Sequence, residues 1–265
     1  MGKAERLGAL LPKGRGVWIP IDHGASDYPN KGLEDLESLI TSLVRAGVNA
    51  IVAQKGVVSR YAHLCEGTST NMVVHYSVST RHGGNNANNK VLVGKADETL
   101  VRGDIAVSSQ VNMGSEHEPA MIERMGELNR QALLLDLPSF GMVYARGAHL
   151  NPVEGDVTNG QAHAVRLAFE LGCDAAKSTW PGDAEAFLSI TAAAPIPVLV
   201  AGGPSTSDTH AVLSMVEASI NAGGGGVCMG RQVFAHEQPE AMAKALVMVV
   251  HEGATAEEAM TACNL

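Results

Sequence analysis

The sequence predicts a single-domain (β/α)8 barrel spanning residues 1–265. Three observations carry that prediction. Eight short apolar runs, most followed by a helical pattern, recur along the chain, and short continuous apolar strands separated by helices are the mark of a parallel sheet. The length of 265 residues matches the roughly 250 that eight such units need. Polar residues gather where the runs end, at the carboxyl ends of the strands, which is where a barrel of this kind places its chemistry. The rival, an open doubly wound sheet, wants a glycine-rich turn after the first strand, and Asp22-His23-Gly24 stands there instead.

Residues 1–15 read as an N-terminal extension. The first strand is 16–21 (GVWIPI). A helix over 32–46 places Leu36, Leu39, Ile40, Leu43 and Val44 on one stripe and stops at Gly47. The second strand, 49–53, ends at Gln54-Lys55-Gly56, and the third, 72–76, ends at Ser77. A polar excursion then occupies 78–95. It contains a glycine/asparagine loop at 81–89 with no core pattern, followed by a small extra strand at 91–93. A short helix (96–102) leads to the fourth strand, 105–111, ending at Asn112. The helix at 116–135 opens with acidic residues, which suit the positive end of its dipole. The fifth strand (139–143) ends at Tyr144-Ala145-Arg146-Gly147 and is followed by a helix at 159–171. The sixth strand (175–179) precedes a helix at 184–193. The seventh (197–201) ends at Gly202-Gly203-Pro204 before a helix at 207–222. The eighth (226–229) ends at Gly230-Arg231 before a last helix at 239–251.

Composition narrows the function. The net charge is −9 and the nearest thing to a basic cluster is Lys13-Gly14-Arg15. Nucleic acid is therefore not an expected partner, because neutralising phosphates dominates such binding. Cys65, Cys173, Cys228 and Cys263 are scattered without a CxxC pair, which argues against a zinc ribbon or thioredoxin-type site and for reduced thiols in the cytoplasm. No run approaches the roughly 18 apolar residues of a membrane span, and residues 1–6 do not resemble a signal peptide. A soluble, cytoplasmic enzyme without membrane association is the expectation.

Lys177 stands inside the apolar sixth strand. Burial disfavours its charged form and lowers its pKa, and a neutral amine at a strand end is what imine chemistry with a carbonyl requires. The alternative is a strand-edge lysine that snorkels to water. The other strand ends carry Asp22, His23, Lys55, His75, Ser77, Asn112, Tyr144, Arg146, Gly202, Gly203, Gly230 and Arg231. Singly, each has a plain structural explanation: Asp22 as a helix cap, Tyr144 as a core aromatic, His75 as a hydrogen-bonded core histidine. Their collection on one rim favours function. Gly202-Gly203 and Gly230-Arg231 fall in the loops after strands seven and eight, where barrels of this fold often bind phosphate. Glycine admits close approach of backbone N–H groups, and Arg231 adds a charge-assisted bond. A phosphorylated small molecule is the expected ligand. The histidines His23, His75, His117 and His149 match no compact metal-ligand spacing.

Seven segments, in order, resemble one family: Pro20-Ile-Asp-His-Gly24, Gln54-Lys-Gly56, Val111-Asn-Met-Gly-Ser115, Tyr144-Ala-Arg-Gly147, Ala176-Lys-Ser-Thr-Trp-Pro-Gly-Asp183, Val200-Ala-Gly-Gly-Pro204 and Met229-Gly-Arg-Gln-Val-Phe234. They are similar to the archaeal-type class I fructose-bisphosphate aldolases (DeoC/FbaB-like aldolases), a family that includes 2-amino-3,7-dideoxy-D-threo-hept-6-ulosonate synthase and a thiolase acting on phosphorylated autoinducer-2. The resemblance implies a (β/α)8 barrel, no cofactor or metal, and a homo-oligomer. It implies Lys177 as the Schiff-base lysine, Tyr144 as general acid/base, and Asp22 beside the reacting carbons. Gly202, Gly203, Gly230 and Arg231 match the phosphate-binding positions, and His23, Lys55 and Arg146 join the expected substrate contacts. The expected reaction is class I aldol cleavage of a phosphorylated ketose. The alternatives are a heptulosonate-synthase-type transaldol reaction, thiolase-like acyl transfer, and a non-catalytic sugar-phosphate-binding barrel. Gln54 replaces the family's usual histidine and Ala145 its proline. Met142, two residues before Tyr144, resembles the heptulosonate synthases, whereas the aldolases carry tryptophan there.

Overall fold

A computed structural model describes all 265 residues. Eight parallel strands close into a barrel: β1 (Gly16–Pro20), β2 (Ala50–Gln54), β3 (Asn71–His75), β4 (Ala106–Met113), β5 (Ser139–Ala145), β6 (Ala175–Thr179), β7 (Val198–Ala201) and β8 (Gly226–Cys228). Each pairs with its sequence neighbours, and β8 returns to β1 through Gly16↔Gly226 and Trp18↔Cys228. The expected (β/α)8 barrel is therefore the observed fold.

Strand alternation divides the core in two. Val17, Ile19, Ile51, Val74, Val107, Val143, Ala176, Val198 and Val200 point outward to the helices and belong to the larger buried cluster. Trp18, Val52, Val73, Phe140, Met142, Ala175, Leu199 and Cys228 fill the barrel. The β-branched residues suit both demands, since a strand buried on two faces needs no polar alternation.

Residues 1–15 are more than an extension. Lys3–Leu10 is a helix, and Leu10 and Leu11 join the inner cluster, closing the amino end of the barrel. The indole Nε1 of Trp18 donates to the Leu10 carbonyl at 2.9 Å, and Lys3 pairs with Asp174 at 2.8 Å. With the floor sealed, only the carboxyl end of the barrel opens to water.

Around the barrel, Asp35 caps the helix Leu36–Ala46 by accepting from the Ser38 N–H, and Gly47 ends it at φ +79°. The acidic-start helix runs Glu118–Leu134. Helices at Lys55–Tyr61 and Ala256–Cys263 were not part of the sequence expectation. The first follows its strand with no intervening loop. The second lies outside the eightfold repeat, although its Thr255/Glu258 capping box is visible in the sequence. The polar excursion folds as a hairpin: Ser77–Val78 pairs antiparallel with Val91–Leu92. Between them, 3-10 turns over Arg81–Asn88 are kinked at Gly84.

Candidate active site

A cavity of about 400 Å³ opens at the carboxyl end of the barrel. Lys177 is at its bottom, 8% exposed. Lys177 on β6 stands level with Met142 on β5 and Leu199 on β7. Tyr144, two residues beyond Met142, presents the same face one step nearer the mouth. The Lys177 amine thereby lies beside the Tyr144 hydroxyl and, two strands away on β8, the Cys228 thiol.

Asp22 enters from the turn after β1. Its carboxylate stands 3.8 Å from His23 Nδ1 and 3.9 Å from His75 Nε2, beyond direct hydrogen bonding to either ring. His75, at the end of β3, is 1% exposed, and its Nδ1 meets Ser108 Oγ at 2.9 Å. Burial pushes the His75 pKa down to about 4 against the opposing pull of Asp22, so the ring is neutral at neutral pH. Burial opposes ionisation of Asp22, but His75, His23 and Lys177 outweigh it and hold the carboxyl below its ordinary pKa.

Lys177 corrects the sequence expectation of a depressed pKa. Burial does favour the neutral amine, but Cys228, Tyr144 and Asp22 together outweigh it, and the net direction is upward. Burial pushes the Cys228 thiol itself up to about 11, so near neutrality it is uncharged and Asp22 is the charged group that holds the ammonium.

The wall between β6 and β1 is made by Gly202, Gly203, Gly230 and Arg231. The N–H groups of these three glycines donate no hydrogen bond to the backbone. Gln232 Nε2 donates to the Gly202 carbonyl at 2.8 Å and so fixes the loop. A Cβ on Gly230 would stand 2.4 Å from the Pro20 carbonyl oxygen and 2.8 Å from His23 Cε1, so only glycine fits there. Gly203 adopts φ +66°, the left-handed region that glycine occupies at no cost. These are the features of an anion cradle: free backbone donors, no side-chain bulk and a guanidinium.

The cavity brings together Asp22, His23, Tyr144, Arg146, Lys177, Gly202, Gly203, Gly230 and Arg231. Lys55 does not join them. As the first residue of the helix Lys55–Tyr61, it pairs instead with Glu98 at 3.2 Å, on the far side of β2. The family lysine after the second strand is thus a structural ion pair in this chain. Lys90, Gln110 and Cys228 line the cavity although the sequence reading did not select them. Cys228 follows from alternation along β8. Lys90 was legible only as the lone cation ending a polar loop. Arg146 lies over the Tyr144 ring at 4.5 Å, and its Nε donates to Asn112 Oδ1 at 3.0 Å. No three His, Cys, Asp or Glu side chains converge as a metal site, and no helix is long and apolar enough to cross a membrane.

The model of the DeoC/LacD family of aldolases matches residues 17–236. The chain belongs to that family. It is an enzyme of the class I aldolase type. It is 35% identical over 264 residues to the 2-amino-3,7-dideoxy-D-threo-hept-6-ulosonate synthase of Halobacterium salinarum, covering 100% of this chain and 97% of that one. It is 36% identical over 237 residues to the 2-amino-4,5-dihydroxy-6-oxo-7-(phosphonooxy)heptanoate synthase of Streptomyces griseus, covering 89% of this chain and 85% of the relative. Among solved structures, a Schiff-base-forming fructose-1,6-bisphosphate aldolase superposes with a TM-score of 0.83 at 27% identity, over 94% of this chain and 100% of that one.

Proposed function

We propose that the protein cleaves or forms a carbon–carbon bond in a phosphorylated ketose through a Schiff base on Lys177. The observation that carries this reading is a lysine 8% exposed at the bottom of the barrel mouth, flanked by Tyr144 and Asp22 and facing a glycine cradle. The cradle and Arg231 hold the phosphate and thereby place the ketone over Lys177. The amine gives its proton to the Asp22 carboxylate and attacks the carbonyl carbon. The carbinolamine hydroxyl takes a proton from the Tyr144 phenol and leaves as water, giving a tyrosinate and an iminium that withdraws electrons from the adjacent C–C bond. Tyr144 takes the hydroxyl proton as that bond breaks, leaving an enamine on Lys177. Protonation and hydrolysis complete an aldolase cycle, and addition to a second aldehyde completes a transaldol cycle. An ordinary lysine is neutral in only about one molecule in a few thousand at pH 7. Lys177, held further toward the ammonium, needs the bound carbonyl to capture that minor form.

The transaldol ending has its own support. The relatives at 35% and 36% identity are synthases of seven-carbon amino keto acids, and Met142 resembles their sequence.

The test is intact mass after sodium borohydride, with and without dihydroxyacetone phosphate, on wild type and Lys177→Met. The expected result is a substrate-sized adduct on the Lys177 peptide of wild type only. A folded wild type that traps no phosphoketose overturns the proposal. Offering aldehydes to the loaded enzyme then separates the two endings.

A further inference from the structure

Gln110 stands at the level of the nucleophile and takes no part in the steps assigned to Lys177, Tyr144 and Asp22. On β4 it pairs with Met142 on β5, and Met142 pairs with Lys177 on β6. The three residues therefore form one layer of the barrel, and Gln110 lines the cavity at 8% exposure. Its backbone is fixed. The pairing of β3 with β4 stops at His75↔Ser108, and beyond it the Gln110 N–H donates to Ser77 Oγ at 2.9 Å.

The orientation of the amide follows from its neighbours. Arg146 can only donate, so the atom of Asn112 that meets its Nε at 3.0 Å is the acceptor Oδ1. The other end of Asn112 is then Nδ2, which donates to the Asn88 carbonyl at 2.8 Å. Asn112 is 1% exposed and cannot turn over without breaking both bonds. Gln110 approaches the same Oδ1 at 2.9 Å and must present Nε2 to it. Its Oε1 is left facing the cavity and accepts from no group of the protein. Once a ligand displaces water, an unmet acceptor is costly unless the ligand brings a donor.

The place of Gln110 around the barrel says which donor. The strand order runs from the cradle after β7 and β8, through Lys177 on β6 and Tyr144 on β5, to Gln110 on β4. A phosphate in the cradle and a carbonyl carbon at Lys177 send the next carbon toward β5 and β4. Tyr144, one step nearer the mouth, serves the hydroxyl beyond the breaking bond. Gln110, level with Lys177, faces the carbon next to the carbonyl.

We propose that Gln110 is a specificity-determining residue. Its Oε1 accepts a hydrogen bond from a hydroxyl on the carbon adjacent to the reacting carbonyl, on the side away from the phosphate. The site thereby selects ketose phosphates hydroxylated at that carbon over their deoxy counterparts. The identity of the carbon rests on the Schiff-base reading; the preference for a hydroxyl-bearing ligand does not.

The experiment follows borohydride trapping against the concentration of two donors, dihydroxyacetone phosphate and hydroxyacetone phosphate, which has hydrogen in place of that hydroxyl. No aldehyde is needed, so the readout is the same for an aldolase or a transaldol ending. In wild type the half-saturating concentration is lower for dihydroxyacetone phosphate by about tenfold or more, the worth of one hydrogen bond together with the cost of leaving Oε1 unmet. Gln110→Met keeps the length of the side chain, removes both polar atoms, and brings the two donors close to parity by weakening dihydroxyacetone phosphate. Gln110→Glu, which keeps an acceptor, retains most of the preference. A wild type that does not distinguish the donors overturns the proposal, as does a Gln110→Met that leaves their ratio unchanged or weakens both equally. A wild type that traps neither donor is failure of the Schiff-base reading instead. Calorimetry on Lys177→Met then decides. Tighter binding of dihydroxyacetone phosphate, with the advantage lost when Gln110→Met is added, sustains the hydroxyl site; equal affinities sink it.

Discussion

Replacing Asp22 by asparagine should move reactivity and turnover in opposite directions. The carboxylate makes no direct hydrogen bond to its histidine neighbours, which stand at 3.8 Å and 3.9 Å. Its main contribution is therefore charge. Asp22→Asn keeps the shape and removes that charge. Lys177 then faces burial, which favours the neutral amine, with less opposition. An opposite charge close to an ionisable group typically shifts its pKa by about 1–3 units, or roughly 1.4–4 kcal/mol. The sign follows directly: Asp22 favours the ammonium, so its loss lowers the Lys177 pKa. The assay is reductive methylation of Lys177 followed across pH by peptide mass, with the exposed Lys13 as an internal reference. The midpoint for Lys177 should fall by about 1–3 units. Steady-state turnover of the phosphoketose should fall by about 10²–10⁴-fold, the usual contribution of a positioned proton acceptor. A Lys177 midpoint that stays fixed or rises in Asp22→Asn would refute the electrostatic account. A faster turnover would remove Asp22 from the proton path.

Two further outcomes follow from the same geometry. His75 has its pKa depressed to about 4 in the folded protein, against about 6.5 unfolded. Its contribution to stability is therefore complete above pH 6.5 and lost as pH falls toward 4, about 3 kcal/mol in all. Urea unfolding of wild type should show that loss between pH 6.5 and 4, and His75→Gln should flatten the profile; parallel profiles for the two would contradict it. In Gly230→Ala, the new Cβ meets the Pro20 carbonyl at 2.4 Å. The turn must shift, at a stability cost of about 1–3 kcal/mol. KM for a phosphorylated ketose should rise about tenfold or more, the loss of roughly one hydrogen bond to a charged group. Equal effects on phosphorylated and unphosphorylated ketoses would show that the cradle does not bind phosphate.

The barrel was legible because each β/α unit repeats the same local signal, and eight weak signals in order leave little freedom. The polar rim was legible for the same reason, since strand ends can be located from apolar runs alone. What escaped the sequence depends on direction rather than position. Lys55 and Tyr144 both follow the apolar part of a strand, yet Tyr144 remains on the inner face of β5, while the chain turns into a helix at Lys55 and carries its side chain to Glu98. Lys90 escaped because it reaches the site through folding of the hairpin Ser77–Val78 with Val91–Leu92, not through the periodicity of a barrel strand. The floor helix Lys3–Leu10 was hidden because Leu7, Leu10 and Leu11 form too short a stripe to declare a helix without the barrel they close.

The state of Lys177 was the least legible feature, because it depends on a balance between neighbours far apart in sequence. Inside β6 the inward positions are Ala175, Lys177 and Thr179. Ala175 lies in the dry layer with Phe140 and Trp18, whose rings are 4.5 Å apart. A lysine there would lack any carboxylate and would lose its proton at once, but no substrate could reach it. Thr179 lies at the open edge of the cavity, where a lysine would be an ordinary solvated ammonium. Position 177 is the boundary layer: low enough to be 8% exposed, high enough to meet Asp22 and Tyr144. There burial and the carboxylate oppose each other within one residue's reach, and that opposition lets a bound carbonyl decide which form of the amine persists.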